Sequence, residues 1–508
     1  MERNSSLLVS VFTLCLLSAC GGGGGGSNNN DGGGGLQLGA THFSVTTPQD
    51  ATAGTAFSFT VTALDSSNAV AASYSGKAQF TSTDLQAVLP ANSGLTNGTG
   101  TFSATLESSG NQTITATDTV TLTISGMSNA IQVSRARAAG TFTIAGSMKF
   151  PRAGHTATLL QDGTVLVVGG ESTTGVLASA EIFDPATGMF TAATGSMETA
   201  RVGHTATLLT DGSVLVTGGN NGTGAVATAE IYNPTTEMFT AATGSMETAR
   251  VGHTASLLND GEVLVAGGGT APEEFFGAGL DGSTASAELF DPNLGQFTPT
   301  ANDMLAGRIY HTATLLPNGD VLLAGGTDNA NISGAALGDL FHPGTATFTA
   351  TTNNGTTALH YGAALLGDGM LLLAGGEVSA SPCGEGGSLV SSAKTFLFND
   401  SDTSFSETGS MSASRISHTA TLLLGGEVLI AGGAASNTRC DRGFGTSTFQ
   451  SVASAELFNP ATGAFALTGN MLTARAAHTA TLLGDGTVLV AGGVDANGNA
   501  LASAELFQ

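Results

Sequence analysis

A unit of roughly 50 to 60 residues recurs seven times from about Gly146 to the C-terminus, and it limits the possible folds more than any other feature. In each copy a His opens an apolar run, a tight turn follows, and a second apolar run ends at two glycines. A period of this length predicts a β-propeller or a solenoid. The double glycines are Gly169/Gly170, Gly218/Gly219, Gly267/Gly268, Gly325/Gly326, Gly375/Gly376, Gly432/Gly433 and Gly492/Gly493.

Each copy can be divided into four short strands, which in the first copy are residues 155–160, 164–169, 179–184 and 188–193. The first two strands are joined by Asp162-Gly163, a dipeptide that tolerates the positive φ of a two-residue hairpin. The third and fourth strands carry an aromatic pair seven residues apart, which we interpret as a core stripe. The pairs are Phe183/Phe190, Tyr232/Phe239, Phe290/Phe297, Phe341/Phe348, Phe398/Phe405 and Phe458/Phe465.

The double glycine and the two aromatic positions resemble the kelch repeat, with Phe where that family usually has Trp. The resemblance covers residues 135–508 and implies one four-stranded blade per repeat. We therefore predict an all-β fold with a seven-bladed kelch-type β-propeller. The last repeat lacks a fourth strand, and a spare strand sequence at residues 141–145 precedes the first repeat, so we expect that strand to close the ring.

The N-terminus reads as an export signal, with Arg3, an apolar stretch and small residues before Cys20. It resembles a bacterial lipoprotein signal of residues 1–19, which implies that Cys20 is acylated and that the protein is anchored by lipid in the cell envelope, at the outer membrane. Ordinary secretion is the alternative. Residues 20–38 are rich in Gly and Asn and are predicted to form a flexible tether.

Residues 39–134 alternate apolar and polar side chains, as at Phe57, Phe59 and Val61, which predicts a β-sandwich. The segment resembles a bacterial immunoglobulin-like module, although it lacks the cysteine pair and the Trp of antibody domains. We interpret it as a spacer, with a separate adhesive site as the alternative.

The charge balance argues against one class of partner. The formal net charge is -25, from 39 acidic and 14 basic side chains. Six of the arginines occupy one repeated position, so no basic surface is left for phosphate contacts, and nucleic-acid binding is not expected.

A polar signature, Met-x-x-x-Arg-x-x-His, recurs in six copies. Histidines near a propeller axis can suggest a metal, but a residue present in every blade is expected to serve the blade itself, so we predict no metal and no cofactor. A Glu recurs two residues before the third-strand aromatic, which leaves an Arg–Glu pair or a His–Glu pair as structural uses. The signature residues are Met148/Arg152/His155, Met197/Arg201/His204, Met246/Arg250/His253, Met304/Arg308/His311, Met411/Arg415/His418 and Met471/Arg475/His478.

One segment, Arg308-Ile309-Tyr310-His311, is similar to the part of galactose-oxidase-type copper enzymes in which adjacent Tyr and His bind copper. Such a site also needs a Tyr cross-linked to a Cys and a further His. If Cys383 and Cys440 pair with each other, no cysteine is left for that cross-link, and no complete catalytic constellation is found.

Variable long loops follow the second strand in several repeats, and such loops on a rigid scaffold are a usual place for recognition. Cys383 and Cys440 lie in the loops of adjacent repeats, where export favours a disulfide. We expect contacts with a partner to come from this long-loop rim, whose candidate residues are Phe275, Phe276, Arg439, Asp441, Arg442 and Phe444.

These observations predict a surface-anchored, non-enzymatic binding or adhesion protein that uses the long-loop rim to bind a protein or a glycan. A structural envelope protein is one alternative, and a galactose-oxidase-like carbohydrate oxidoreductase is the other. Fold alone does not choose among them, because propellers support many activities.

Overall fold

The computed structural model describes residues 39–108, 110–134, 140–270, 282–326, 338–351, 361–381, 387–440 and 447–508. The chain divides into two compact units, Met1–Ala136 and Arg137–Gln508. Within the described residues all regular structure is β-strand, and no helix is long and apolar enough to cross a bilayer. Cys20 and the rest of residues 1–38 lie outside the described residues, so the signal, the tether and the acylation stay predictions.

Three sheets surround one apolar core in the first unit. Phe59, Val61 and Ala63 of one strand are buried while their neighbours are less so, as the alternating pattern requires. The immunoglobulin-like character of this unit stays a prediction. The sheet orders are β1-β3-β6, β2-β10-β7 and β5-β4-β8-β9, with β1 (His42–Thr46), β2 (Asp50–Thr52), β3 (Ala56–Leu64), β4 (Lys77–Ser82), β5 (Ser93–Gly94), β6 (Thr99–Thr105), β7 (Gly110–Gln112), β8 (Ile114–Asp118), β9 (Ser125–Met127) and β10 (Ile131–Ser134).

The second unit contains seven four-stranded antiparallel blades, which confirms the predicted all-β propeller. Blade 1 is β12 (Thr156–Leu159), β13 (Val165–Val168), β16 (Ala180–Asp184) and β17 (Met189–Ala192); blade 2 is β18 (Thr205–Leu208), β19 (Val214–Thr217), β20 (Ala229–Asn233) and β21 (Met238–Ala241); blade 3 is β22 (Thr254–Leu257), β23 (Val263–Ala266), β24 (Ala287–Asp291) and β25 (Gln296–Pro299). Blade 4 is β26 (Thr312–Leu315), β27 (Val321–Ala324), β28 (Asp339–His342) and β29 (Thr347–Ala350); blade 5 is β30 (Gly362–Leu365), β31 (Leu371–Ala374), β34 (Thr395–Asn399) and β35 (Ser404–Glu407). Blade 6 is β36 (Thr419–Leu422), β37 (Val428–Ala431), β40 (Ala455–Asn459) and β41 (Ala464–Leu467); blade 7 is β42 (Thr479–Leu482), β43 (Val488–Ala491), β44 (Ala504–Phe507) and β11 (Phe142–Ile144).

The first strand of each blade contacts the first strand of the next, so the seven first strands enclose an axis. The second strand of every blade is buried along its whole length, as in Val165–Val168, and it is wholly apolar except in blade 2, where it ends at Thr217. Continuous burial follows from the propeller, because both faces of a blade are covered by neighbouring blades.

The ring closes through a strand from the start of the unit. β11 pairs with β44, so that Phe142 lies opposite Phe507. The two rings are 4.9 Å apart, within the 4.8–5.0 Å found for the aromatic pairs of the other six blades. The repeated aromatics are therefore cross-strand partners in the outer half of each blade.

Neighbouring blades are joined through the Arg of the repeated signature. In blade 2 the Arg201 guanidinium is fully buried and donates to the carbonyl oxygens of Gly218 and Thr228, each at 2.8 Å. It also pairs with the Glu230 carboxylate at 3.1 Å. The carbonyl of Arg201 accepts a hydrogen bond from the amide of Gly170 in blade 1, so one residue is bonded to two blades.

The same arrangement recurs with Glu181, Glu288, Glu456 and Glu505, and with Asp339 in blade 4. Of the two alternatives left open by the sequence, the structure contains the Arg–Glu pair. The signature histidines contact threonines instead, as described below.

Close packing requires a glycine at both positions of the double glycine. A Cβ atom on Gly218, where φ is 60°, would lie 2.6 Å from the carbonyl oxygen of Arg250 and 2.6 Å from Cε1 of His253. A Cβ atom on Gly219 would meet the Cβ atom of His204, in the same blade, at 2.9 Å. Both glycines therefore permit a close approach between backbone and side chains as well as a positive φ.

Loops after the second strands form additional sheets. In blade 1 the loop contains the hairpin β14 (Glu171–Ser172) and β15 (Gly175–Val176). The loops of blades 5 and 6 combine into one four-stranded sheet of β32 (Glu377–Ser381), β33 (Gly387–Ser391), β38 (Ala434–Cys440) and β39 (Ser447–Ser451). Antiparallel pairing of β33 with β38 joins the loop of blade 5 to the loop of blade 6.

We expect Arg201→Ala to lower the free energy of unfolding of the propeller by about 3–5 kcal/mol, because it leaves the buried Glu230 carboxylate without its cation. The matched control is Lys394→Ala, which removes an exposed ion pair with Glu407 and is expected to cost less than about 1 kcal/mol. Urea unfolding of both variants tests the difference, and equal losses would contradict the structural role of Arg201.

Candidate functional site

The first strands begin around the propeller axis, and the residue just before each of them faces its counterparts in the neighbouring blades. In six blades this residue is the signature His, and in blade 5 it is Tyr361. The repeated chain path therefore places six imidazoles and one phenol in a ring. The ring residues are His155, His204, His253, His311, Tyr361, His418 and His478.

Five of the imidazoles contact a Thr hydroxyl of the preceding blade. Nε2 of His204, for example, lies 3.1 Å from Oγ1 of Thr156. These contacts link adjacent blades, which explains why the His recurs with every repeat. The other four pairs are His253–Thr205 at 3.1 Å, His311–Thr254 at 2.9 Å, His478–Thr419 at 3.2 Å and His155–Thr479 at 3.1 Å.

The ring histidines are neutral at physiological pH. Burial and, to a smaller extent, the positive charge of Arg201 together lower the pKa of His204 to about 3. The same causes lower the pKa of His155, His311 and His418 to about 3, and that of His253 and His478 well below its usual range.

Blade 5 breaks the symmetry of the ring. Gly362 stands where the other blades have a Thr, so His418 of blade 6 has no hydroxyl opposite it. The imidazole of His418 is buried and, among the described residues, contacts no Thr hydroxyl, unlike the other five imidazoles. The sequence showed that the fifth repeat was divergent, but the loss of this Thr was visible only once the His–Thr contact was known.

Tyr310, one residue before His311, is a second position at which a blade differs from its neighbours. It has a φ of 56°. The equivalent residues are Gly154, Gly203 and Gly252 at φ 59–62° in blades 1 to 3, and Ser417 and Ala477 at φ 51° and 50° in blades 6 and 7. A non-glycine residue at positive φ is strained, so three blades share this strain, and the aromatic side chain is what sets Tyr310 apart. The amide of Tyr310 donates to the carbonyl of Gly252 at 3.0 Å, within a chain of hydrogen bonds that links these positions across blades 1 to 4.

These departures border a solvent-open pocket of about 250 Å³ at the axis, which we call the axial pocket. No described side chain in its wall carries a charge at neutral pH, because the imidazoles there have lowered pKa values. The wall consists of Gly154, His155, Gly203, His204, Gly252, His253, Tyr310, His311, Thr312 and Tyr361.

The loops that follow the second strands lie at the same end of the blades as the axial pocket. Thr156, at the start of the first strand, pairs with Val168 at the end of the second, and this register recurs in every blade. The pocket and the long-loop rim therefore share one face of the propeller.

The residues predicted to form the binding rim are not placed by the structure. Phe275, Phe276, Asp441, Arg442 and Phe444 lie outside the described residues, as does Cys383. The backbones of Arg439 and Cys440 belong to β38 and pair with Ser388 and Gly387, but their side chains are outside the described set. The Cys383–Cys440 disulfide stays a prediction.

A search of protein-family models and a search of curated proteins found no match. Among solved structures, the chain is similar to a fungal alcohol oxidase with catalytic diversity in the AA5 family, solved in complex with copper. The likeness has a TM-score of 0.56 at 18% identity and covers 73% of this chain and 76% of the other. At this identity it establishes the kelch-type propeller fold and no activity.

The expectation of a non-enzymatic binding or adhesion protein acting through the long-loop rim is wrong. The finding that contradicts it is the similar solved structure, which is an alcohol oxidase. Sequence reasoning gave weight to loop length and to the lack of a complete copper-radical constellation around Tyr310 and His311. It missed a pocket assembled from the first residues of five separate blades.

The described pocket supplies some donors for copper but not a complete set. Imidazole and phenol groups suit Cu(II), and Tyr310, His311 and Tyr361 share the wall. However, Nε2 of His311 is already in contact with Thr254, and no cysteine is present in the described wall. Among the described residues, no group of three or more His, Cys, Asp or Glu is placed to hold a metal ion. These residues alone therefore do not fit a copper-radical site.

We expect the propeller to lose stability as the pH falls from about 6.5 towards 4. The ring histidines bind protons in the unfolded chain near pH 6.5 but in the folded protein only near pH 3 or below, so acidification favours unfolding. Urea midpoints at pH 8, 6 and 5 should fall in that order. Imidazole NMR signals that titrate near pH 6.5 in the folded protein would contradict this explanation.

Proposed function

We propose that the propeller is an oxidoreductase that oxidises a small alcohol in the axial pocket. The observation that carries the proposal is the convergence of two phenols, Tyr310 and Tyr361, with the signature imidazole of His311 on one pocket wall. The two phenols have no counterpart at the same positions in the other blades that the structure describes. They are therefore the candidates for chemistry.

The pocket suits an alcohol for a physical reason. A hydroxyl group can both donate and accept hydrogen bonds, and the wall offers phenol, imidazole and the Thr312 hydroxyl as partners of both kinds. Because none of the wall residues that the structure describes is charged, they do not provide a counterion for a carboxylate or phosphate substrate.

Oxidation of a primary alcohol to an aldehyde removes two protons and two electrons, which need an acceptor. The described side chains can bind and orient the alcohol, and an imidazole can accept a proton. They include no redox group of their own. The experiment therefore supplies two acceptors, dioxygen with added Cu(II) and a quinone dye without metal.

We expect aldehyde formation from small primary alcohols with at least one of these acceptors. The double substitution Tyr310→Phe with Tyr361→Phe should lower the rate by about tenfold or more, because correctly placed polar groups orient the substrate. The matched control is Tyr232→Phe, which removes a buried phenol oxygen without a hydrogen-bond partner in the described part of blade 2.

Aldehyde is measured by mass spectrometry, so that peroxide-consuming side reactions do not hide the product. No aldehyde with either acceptor, or an equal loss of rate in Tyr232→Phe, would contradict the proposal.

A further inference from the structure

The ring of Tyr310 occupies space that is open in the two preceding blades. The equivalent residues there are Gly252 in blade 3 and Gly203 in blade 2, neither of which has a side chain. Cε1 of Tyr310 lies 2.9 Å from the position that a Cβ atom on Gly252 would take. One edge of the ring therefore lies against the backbone of blade 3, which fixes its orientation.

The tight contact explains why Tyr310 stays in place although its backbone is strained. Positive φ costs a non-glycine residue about 1–2 kcal/mol. The amide hydrogen bond to Gly252 and the packing of the ring on that glycine hold the residue in this conformation. The half-buried ring surface that does not face Gly252 forms part of the pocket wall.

The size and charge of the axial pocket limit what can lie against this ring. At about 250 Å³ the pocket is a little smaller than the usual range of about 300–1,000 Å³ for ligand sites, so it suits a molecule of single-ring size. The wall is uncharged at neutral pH, which favours an uncharged ligand. An aromatic wall adds affinity for a ligand with a flat apolar face.

We propose that Tyr310 determines the ligand preference of the axial pocket, by placing its ring against the flat face of a small uncharged ligand. This inference rests on the proposed function for the location of the site, but it concerns binding and not turnover. Tyr310 acts here through the shape and polarity of its ring, whereas Tyr361 and Thr312 supply polar contacts on the same wall.

The test measures binding without copper and under nitrogen, so that the failure of oxidation and the failure of this inference are distinguishable. The probes are benzyl alcohol, which has a flat ring, and n-pentanol, which has the same type of hydroxyl and no ring. Affinities of the full-length protein for both are measured by ligand-observed NMR titration.

We expect Tyr310→Gly to weaken the binding of benzyl alcohol by roughly tenfold, because the substitution removes an aromatic contact of about 1.4 kcal/mol. The binding of n-pentanol, which has no ring, should weaken by less than about twofold. Tyr310→Phe should retain the preference for benzyl alcohol, because it keeps the ring. Tyr310→Asn, which tolerates positive φ and has no ring, provides a second variant. Thermal melting checks that each variant folds.

Equal weakening of both probes by Tyr310→Gly and Tyr310→Asn would overturn the inference, as would unchanged binding of benzyl alcohol. Absence of binding of either probe to the unsubstituted protein would also overturn it. A selective loss of benzyl alcohol binding in both variants, with retention in Tyr310→Phe, supports it even if no aldehyde is formed in the oxidation assay.

Discussion

Contact between successive blades at the double glycine is the constraint on which the rest of the propeller depends. The backbone of the signature Arg and the ring of the signature His approach the first glycine of the preceding blade so closely that no side chain fits there. The guanidinium then binds the carbonyl of the first glycine of its own blade and that of the residue before its third strand, which in blade 2 are Gly218 and Thr228. One motif thus determines the spacing of neighbouring blades and the internal geometry of each.

We call this contact, in which the Arg backbone and the His ring of one blade lie against the first glycine of the preceding blade, the interlock. It explains which residues are available for function. Buried Arg–carboxylate pairs lie in six blades and His–Thr contacts at five blade junctions of the part that the structure describes, so the symmetric ring residues are occupied by their structural role. A new property is expected where the side chains of the repeat differ. Tyr310, Tyr361 and Gly362 are such positions, and the first two lie on the axial pocket.

Much of the propeller could be predicted from the sequence because each repeat contains its own local signals. Asp-Gly turns, apolar second strands and paired aromatics identify four strands without reference to distant residues. The pairing of Phe183 with Phe190 and the buried run at Val165–Val168 follow from these signals.

The site could not be predicted in the same way, because it depends on contacts between different blades. Nothing in one repeat indicates that its Thr contacts the His of the next repeat. The replacement of that Thr by Gly362 in blade 5 could therefore not be interpreted from the sequence. The joint sheet of β33 and β38 likewise pairs two loops that are remote in the chain. Tyr310 was noticed for its neighbour His311, whereas the more informative feature is its aromatic ring at a position that holds Gly, Ser or Ala in the other described blades.

The most direct test of the interlock compares two Gly→Ala substitutions that share a positive φ but differ in their surroundings. A Cβ atom on Gly163, at φ 88°, meets no atom within 4 Å, whereas one on Gly218, at φ 60°, meets Arg250 and His253 of the next blade at 2.6 Å. Urea unfolding of the propeller should show a loss of about 1–2 kcal/mol for Gly163→Ala from backbone strain alone. Gly218→Ala should cost about 1–3 kcal/mol more, because the neighbouring blade is displaced. Equal losses in the two variants would contradict the central role of this contact.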